Sequence, residues 1–303
     1  MTATIASEVQ NGVLPFLMNT GGNRTALRGR LARVDGIASS ILARHDYPLA
    51  AAELSAESIA LAACLSSTMD FEGIFTLQAS GNASISTLFA DVTSAGAVRA
   101  YAQVAEDFDS DQSLGAPAAL IKLMGTGYLA FTVDQGDNGR YQGIDPIEEP
   151  DLNAVAMRYF YNSEQLATAL SLAAKPDGDG GWHAAALMLQ RIPETGGNNE
   201  PQPFTDEEDD IWHTACTLMA TCTRDELIDP NISPEELLRR LFQELNVAVL
   251  PFKMMQDECR CSPERVERML DGLEQAEKND LADDDNKITV SCEFCKKEHH
   301  IKI

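Results

Sequence analysis

The sequence predicts an α+β protein in three parts: a mixed strand and helix body over residues 1–193, a helical linker over 194–256, and a small cysteine-rich C-terminal unit over 257–303. Three observations carry this. Strand-like and helical stretches follow one another in the first part without the regular alternation of βαβ units. The composition changes at Glu194, where "ETGGNNEPQPFTDEEDD" is rich in Gly, Pro, Asn and acid and holds no Lys or Arg. Four of the seven cysteines fall after Glu258. At 303 residues the chain is long enough for one core of roughly 150–200 residues plus smaller units.

In the body, "LSAESIALAACLSSTM" reads as a core helix with Ser55 as N-cap and Leu54 and Ile59 as a hydrophobic staple across it. Four strands follow, "GIFTLQAS", "SISTLFADVT", "AVRAYAQV" and "YLAFTVDQ", separated by turns containing Gly, Asn and Asp. In the last of them Leu129, Phe131 and Val133 alternate with Ala130, Thr132 and Asp134, as a strand with one buried face requires. "PDLNAVAMRYFYN" returns to helical spacing, and "ATALSLAAKPDGDGGWHAAALMLQ" reads as two strands joined by "KPDGDGG".

The acidic segment after Glu194 reads as a solvated connection. One helix is expected over about Asp206 to Leu227. A second starts at "SPEELLRRLFQEL", with Ser233 as N-cap, Pro234 at the first helical position and Glu236 completing a capping box. Leu237, Leu238, Leu241, Phe242 and Leu245 make one apolar stripe. Two helices cannot bury such stripes alone, so they must lean on the body or on a partner.

The formal net charge of −24 repels a phosphate backbone or an anionic membrane surface over most of the protein, so neither nucleic acid nor membrane is an expected partner. The N-terminus has no basic start with an apolar core, and no later apolar run approaches the roughly 18 residues of a membrane span. A cytoplasmic protein is expected. Cys64, Cys216 and Cys222 are scattered in partly apolar surroundings, as free thiols of a reducing compartment are.

The remaining cysteines form a Cys-x-Cys pair, Cys259 and Cys261 in "CRCSPERVERML", and a Cys-x-x-Cys pair, Cys292 and Cys295 in "SCEFCKKEHHIKI". Four sulfurs in two close pairs match tetrahedral zinc, and the 30 residues between Cys261 and Cys292 leave room for a helix and a return turn. Ser262 and Pro263 cap the helix "PERVERMLDGLEQAEK", whose positive end favours thiolate next to it. Arg260, Arg265, Lys296 and Lys297 lie around the pairs and offset the charge of four thiolates on one divalent ion. His299 and His300 read as an exposed terminal pair outside the ligand set. A segment this short and this charged has little core of its own, so the metal should hold it folded. Thiolates so placed are also what peroxide or hypochlorite attacks, each with a resolving thiol two or three positions away. Bridging Cys259 to Cys261 demands a backbone incompatible with the metal-bound one, so the two states exclude each other.

These cysteine motifs, with "GYLAFTVDQG", "RYQGI", "YFYNSEQLATAL", "ALMLQRIP" and "EELLRRLFQE" in the same order, resemble the heat-shock protein 33 family, the bacterial redox-regulated 33 kDa chaperonin, over nearly the whole chain. The resemblance implies a chaperone core domain over 1–193, a metastable helical linker over 194–256, and a zinc-binding redox-switch domain over 257–303. It further implies an ATP-independent holdase, not an enzyme. The reduced form binds one zinc per chain through Cys259, Cys261, Cys292 and Cys295 and is inactive. Oxidation forms disulfides Cys259–Cys261 and Cys292–Cys295, the zinc is lost, and a dimeric active form binds unfolding or oxidatively damaged client proteins.

Two other classes compete on residues alone. One is a constitutive protein-binding module with a purely structural zinc. The other is a thiol oxidoreductase using Cys292 and Cys295, which would need a thioredoxin-like βαβ pattern that the sequence does not show. "GTGYLAF" is no phosphate loop, and neither His-Glu-x-x-His nor Gly-x-Ser-x-Gly occurs. His45, His183 and His213 are isolated, which favours a surface or core role over a ligand role.

Overall fold

The computed structural model describes residues 11–21, 24–106, 108, 120–191 and 204–302. Its body opens with the hairpin β1 (Gly12–Asn19) and β2 (Thr25–Arg33), then helices α1 (Asp35–Leu42) and α2 (Leu49–Ser66). An antiparallel run follows: β3 (Ile74–Ser80), β4 (Ile85–Thr93), β5 (Ala97–Val104), short helix α3 (Leu120–Met124), β6 (Tyr128–Asp134) and β7 (Arg140–Pro146). Helix α4 (Leu152–Asn162) leads to the hairpin β8 (Thr168–Pro176) and β9 (Trp182–Gln190). The linker contributes α5 (Asp206–Thr221), α6 (Arg224–Leu227), α7 (Pro234–Leu241) and three short strands, β10 (Asn246–Val249), β11 (Lys253–Met254) and β12 (Gln256–Asp257). The C-terminal unit holds α8 (Pro263–Leu270), α9 (Gln275–Leu281) and the hairpin β13 (Lys287–Ser291) and β14 (Glu298–Lys302).

Two large sheets result, one in the order β10-β1-β2-β9-β8 with β11 also on β1, the other β12-β5-β4-β3-β6-β7. Helix α2 lies between them, and its apolar residues join the inner faces of both sheets in one core. The first sheet is buried on its other face too. Ala184, Ala186 and Met188 of β9 face α2, while Ala185, Leu187 and Leu189 face the linker helices. That double burial explains why "AAALML" is continuously apolar instead of alternating. The Phe16 ring lies directly on the backbone of Gly29, where a Cβ would clash with it, and meets Phe242 of the linker with ring centroids 6.1 Å apart.

The four predicted strands of the body, the helix over α4 and the β8–β9 hairpin stand where the sequence puts them. The start of α2 does not. It begins at Leu49, after Pro48, because Leu49 and three alanines are strong helix formers; Ser55 is buried inside it with its hydroxyl donating to the Ala51 carbonyl. At 18 residues and mean hydropathy 1.4, α2 is also long and apolar enough to span a membrane, contrary to the sequence reading, but 94% of it is buried within the fold. In β6, Ala130 and Thr132 are buried as well as Leu129, Phe131 and Val133, so both faces are covered.

The expected helix over Asp206 to Leu227 breaks at Cys222, whose backbone is extended (ψ 114°), and Thr223 caps α6 by accepting from the Glu226 amide. α5 starts at Asp206, as expected, so the acidic residues 206–210 at the end of the solvated segment are helical, with Thr205 and Glu208 forming a capping box; residues 192–203 lie outside those described. Ser233 caps α7, but Glu236 turns to Arg239 and Arg240 instead of closing its half of the box. The Leu237, Leu238, Leu241 and Phe242 stripe is buried against the first sheet of the body, the first of the two resolutions the sequence left open, and Leu245 packs against it half-buried. The helix expected over 263–278 is two, α8 and α9, separated at Gly272 and restarted by a Glu274–Glu277 capping box.

Candidate metal centre

The linker's last strands deliver the first cysteine pair. β10 and β11 pair with β1, β12 runs parallel to β5, and the Glu258 amide donates to the Val98 carbonyl, so Cys259 leaves the edge of the second sheet at a fixed place. Cys261 ends at Ser262, which caps α8 by accepting from the Arg265 amide, with Pro263 at the first helical position. The second pair sits in the β13–β14 turn. There the Lys296 amide donates to the Cys292 carbonyl, the Cys292 amide donates to the Lys297 carbonyl, and Lys296 adopts a left-handed φ of 57°.

The four sulfurs, 33 and 34 residues apart across the site, converge: Cys259 Sγ to Cys292 Sγ is 3.7 Å, Cys261 Sγ to Cys295 Sγ is 3.5 Å, and all four lie within 4.8 Å of one another. A tetrahedral ion with bonds of about 2.3 Å to sulfur has ligand–ligand edges of about 3.8 Å. The donor set and its spacing therefore fit a four-thiolate metal site.

The electrostatics differ from the sequence expectation. Burial pushes the Cys259 and Cys261 thiols up, and contacts with Cys295 and Cys259 push Cys261 further. Burial also acts against the Cys292 thiolate, but amide donors from Cys295 and Phe294 outweigh it and hold Cys292 below its ordinary value. Three of the four basic residues named from the sequence point elsewhere. Arg260 donates to Asp91 of β4 at 2.8 Å, Arg265 to the Arg260 carbonyl, and Lys296 to Glu293. Arg44, just beyond α1, was not singled out. It holds both oxygens of Asp257 at 2.6 and 2.9 Å, and Cys295 and Cys259 add to the field that, after Asp257, keeps its guanidinium charged.

His299 is a correction. It is 3% exposed, with Nε2 3.3 Å from Cys261 Sγ, whereas His300 is exposed and meets Thr289. The two-residue period of β14 places His299 with Ile301 on the packed face and His300 on the other. His45 is not isolated either: its Nε2 lies 3.3 Å from the Phe294 carbonyl. His183 pairs with Asp35, and His213 with the Asp209 carbonyl. Burial pushes the Cys64 thiol up to about 12 and those of Cys216 and Cys222 up to about 11, which makes all three poor nucleophiles.

The family model described as "Hsp33 protein" matches residues 15–302. The 33 kDa chaperonin of Caulobacter vibrioides is 35% identical over 278 residues, covering 89% of this chain and 88% of the relative. That of Ectopseudomonas mendocina is 34% identical over 276 residues, covering 91% and 88%. The crystal structure of a 33 kDa chaperonin from Thermotoga maritima shares the fold, with TM-score 0.74 over 95% of this chain and 94% of that one at 19% identity.

Proposed function

The chain belongs to the Hsp33 protein family, and from that membership we propose that it is a redox-regulated, ATP-independent holdase whose switch is the four-cysteine centre. The reading rests on one observation above all: sulfurs within 4.8 Å of one another lie directly beyond linker strands that are paired with both sheets of the body.

In the reduced, inactive form Cys259, Cys261, Cys292 and Cys295 hold one zinc per chain. The ion supplies a cross-link that the unit's own core, essentially Val266, Leu270, Ile288 and Ile301, is too small to replace. Oxidation forms Cys259–Cys261 and Cys292–Cys295. Each pair of metal-bound thiolates yields two electrons, and one peroxide takes these and two protons from solvent to leave as two waters per bridge. A bridge brings its sulfurs to about 2.05 Å, which no tetrahedral ligand pair can share with a metal.

Residues 257–303 then unfold, and the linker over 194–256 loses the anchor at its C-terminal end. Its helices leave the face formed by Leu14, Phe16, Leu31, Leu187 and Leu189, and unfolding or oxidatively damaged client proteins bind the apolar surface so uncovered. The active form is a homodimer. The protein works in the cytoplasm, where Cys64, Cys216 and Cys222 stay reduced, without nucleic acid or membrane as partner.

Hydrogen peroxide with mild heat should release about one zinc per chain, convert four thiols to disulfide and let the protein suppress aggregation of a denaturing client without ATP. Zinc release with unchanged client light scattering would remove the chaperone assignment. Zinc that stays bound while peroxide consumes thiols would make the centre a structural staple of a constitutive binding module.

A further inference from the structure

Each cysteine pair encloses a side chain that is not a ligand, and both side chains end on the same patch of the body. Arg260, between Cys259 and Cys261, donates to Asp91 Oδ2 at 2.8 Å; Asp91 is 1% exposed. Phe294, between Cys292 and Cys295, stands edge-on to Tyr101 and Phe89, with ring centroids 4.8 and 5.5 Å away. Asp91 and Phe89 lie two residues apart on the outer face of β4, directly opposite Arg99 and Tyr101 of β5. Arg99 ties the two contacts together. Its Nε and Nη2 hold Asp91 at 2.9–3.2 Å, and its guanidinium lies 3.9 Å from the centre of the Phe294 ring.

We propose that Arg260 and Phe294 form a two-point latch that seats the metal unit on the β4–β5 face and converts oxidation of either cysteine pair into its release. The proposal rests on the redox reading above and names how the thiol chemistry reaches the body. Phe294 lies inside the four-residue turn that a Cys292–Cys295 bridge contracts, and Arg260 is the sole residue between Cys259 and Cys261. Neither bridge can close without moving the side chain that it encloses. The couplings are of the kind that depends on orientation: edge-on aromatic contacts, a guanidinium stacked on a ring and a buried charged pair all weaken with small displacements. His45 adds a contact to the Phe294 carbonyl, so the turn is held by main chain as well as ring. The same seat slows oxidation while the unit is docked, because a bridge can form only as the latch opens.

A double-mutant cycle on zinc-loaded, reduced full-length protein tests this, read as the rate of zinc release under peroxide. Phe294→Ala should retain one zinc per chain and release it about tenfold faster. Phe89→Ala combined with Tyr101→Ala, which changes only the body side of the contact, should do the same. Adding Phe294→Ala to that pair should accelerate release no further, and Phe294→Tyr should keep the wild-type rate. Multiplying effects, or wild-type release from a zinc-loaded Phe294→Ala protein, would overturn the latch. Client aggregation by the oxidised proteins is a separate readout. Coupled release rates without client protection would leave the latch and remove the chaperone assignment, and protection with multiplying rates would do the reverse.

Discussion

The linker helices cover the first sheet with a continuous apolar stripe, whereas the metal unit meets the second sheet through the Phe294 ring and the Arg260–Asp91 ion pair. Behind those contacts the difference is as large. Leu237, Leu238, Leu241 and Phe242 join a core that includes Phe16, Met18, Leu27 and Leu189, so the linker's burial energy comes from the body. The metal unit has its own cluster of four buried apolar residues and borrows almost nothing. One attachment is held by buried apolar area. The other is held by a few orientation-dependent contacts beside the four sulfurs.

Taking the metal away should separate the two most sharply. If the centre holds zinc, as proposed, chelation removes a cross-link worth on the order of 10 kcal/mol in small domains. Amides of β13 and β14, and that of Cys292 in the turn between them, should then exchange with solvent as freely as an unfolded chain, while those of β3, β4 and β6 keep their protection. Retained protection in β13 and β14 would mean that the unit's apolar cluster suffices.

The converse perturbation empties the area-held attachment and leaves the metal. Phe242→Ala deletes a ring that is 1% exposed and packed on Phe16, a change that costs about 3–5 kcal/mol. The variant should keep one zinc and four reduced thiols, yet unfold at lower urea and bind a hydrophobic dye without oxidant. Dye binding no greater than wild type would show that the linker is held elsewhere.

The two attachments were also unequally legible in the sequence. The cysteine pairs could be read because ligands in each half are two or three residues apart, and Ser262 with Pro263 marks the helix beside them. The stripe of α7 was legible from its helical period, and its need for a partner followed. The seat of the metal unit could not be read, because Arg260 meets Asp91 from 169 residues away and nothing local distinguishes either residue. β10, β11 and β12 were missed for the same reason: four or two residues carry no periodicity, and only pairing with β1 and β5 makes them strands. His299 needed the register of β14 against β13 before its burial could be known.

The smallest effect tests one of the polar clamps of the linker attachment. Arg224 of α6 donates to Glu57 at 2.8 Å and to Glu53 at 2.9 Å, both on α2, and to the Leu172 carbonyl at 2.9 Å. Burial pushes the Glu57 carboxyl up to about 7, outweighing the attraction of Arg224, with Glu53 and Asp151 adding to the rise. A carboxyl raised in the folded state from its ordinary value near 4.5 binds its proton more tightly there than in the unfolded chain. Its contribution is complete below about 4.5 and is lost as pH rises through about 7, so the attachment is firmer in mild acid. Between pH 6 and pH 8 the loss amounts to about 1 kcal/mol. Glu57→Gln keeps an acceptor for Arg224 and removes the titration. Urea midpoints of the reduced, zinc-loaded proteins should therefore diverge with pH, wild type falling relative to Glu57→Gln from pH 6 to pH 8. A difference that stays constant across that range would show that Glu57 is ionised throughout, and that the clamp is an ordinary buried ion pair indifferent to pH.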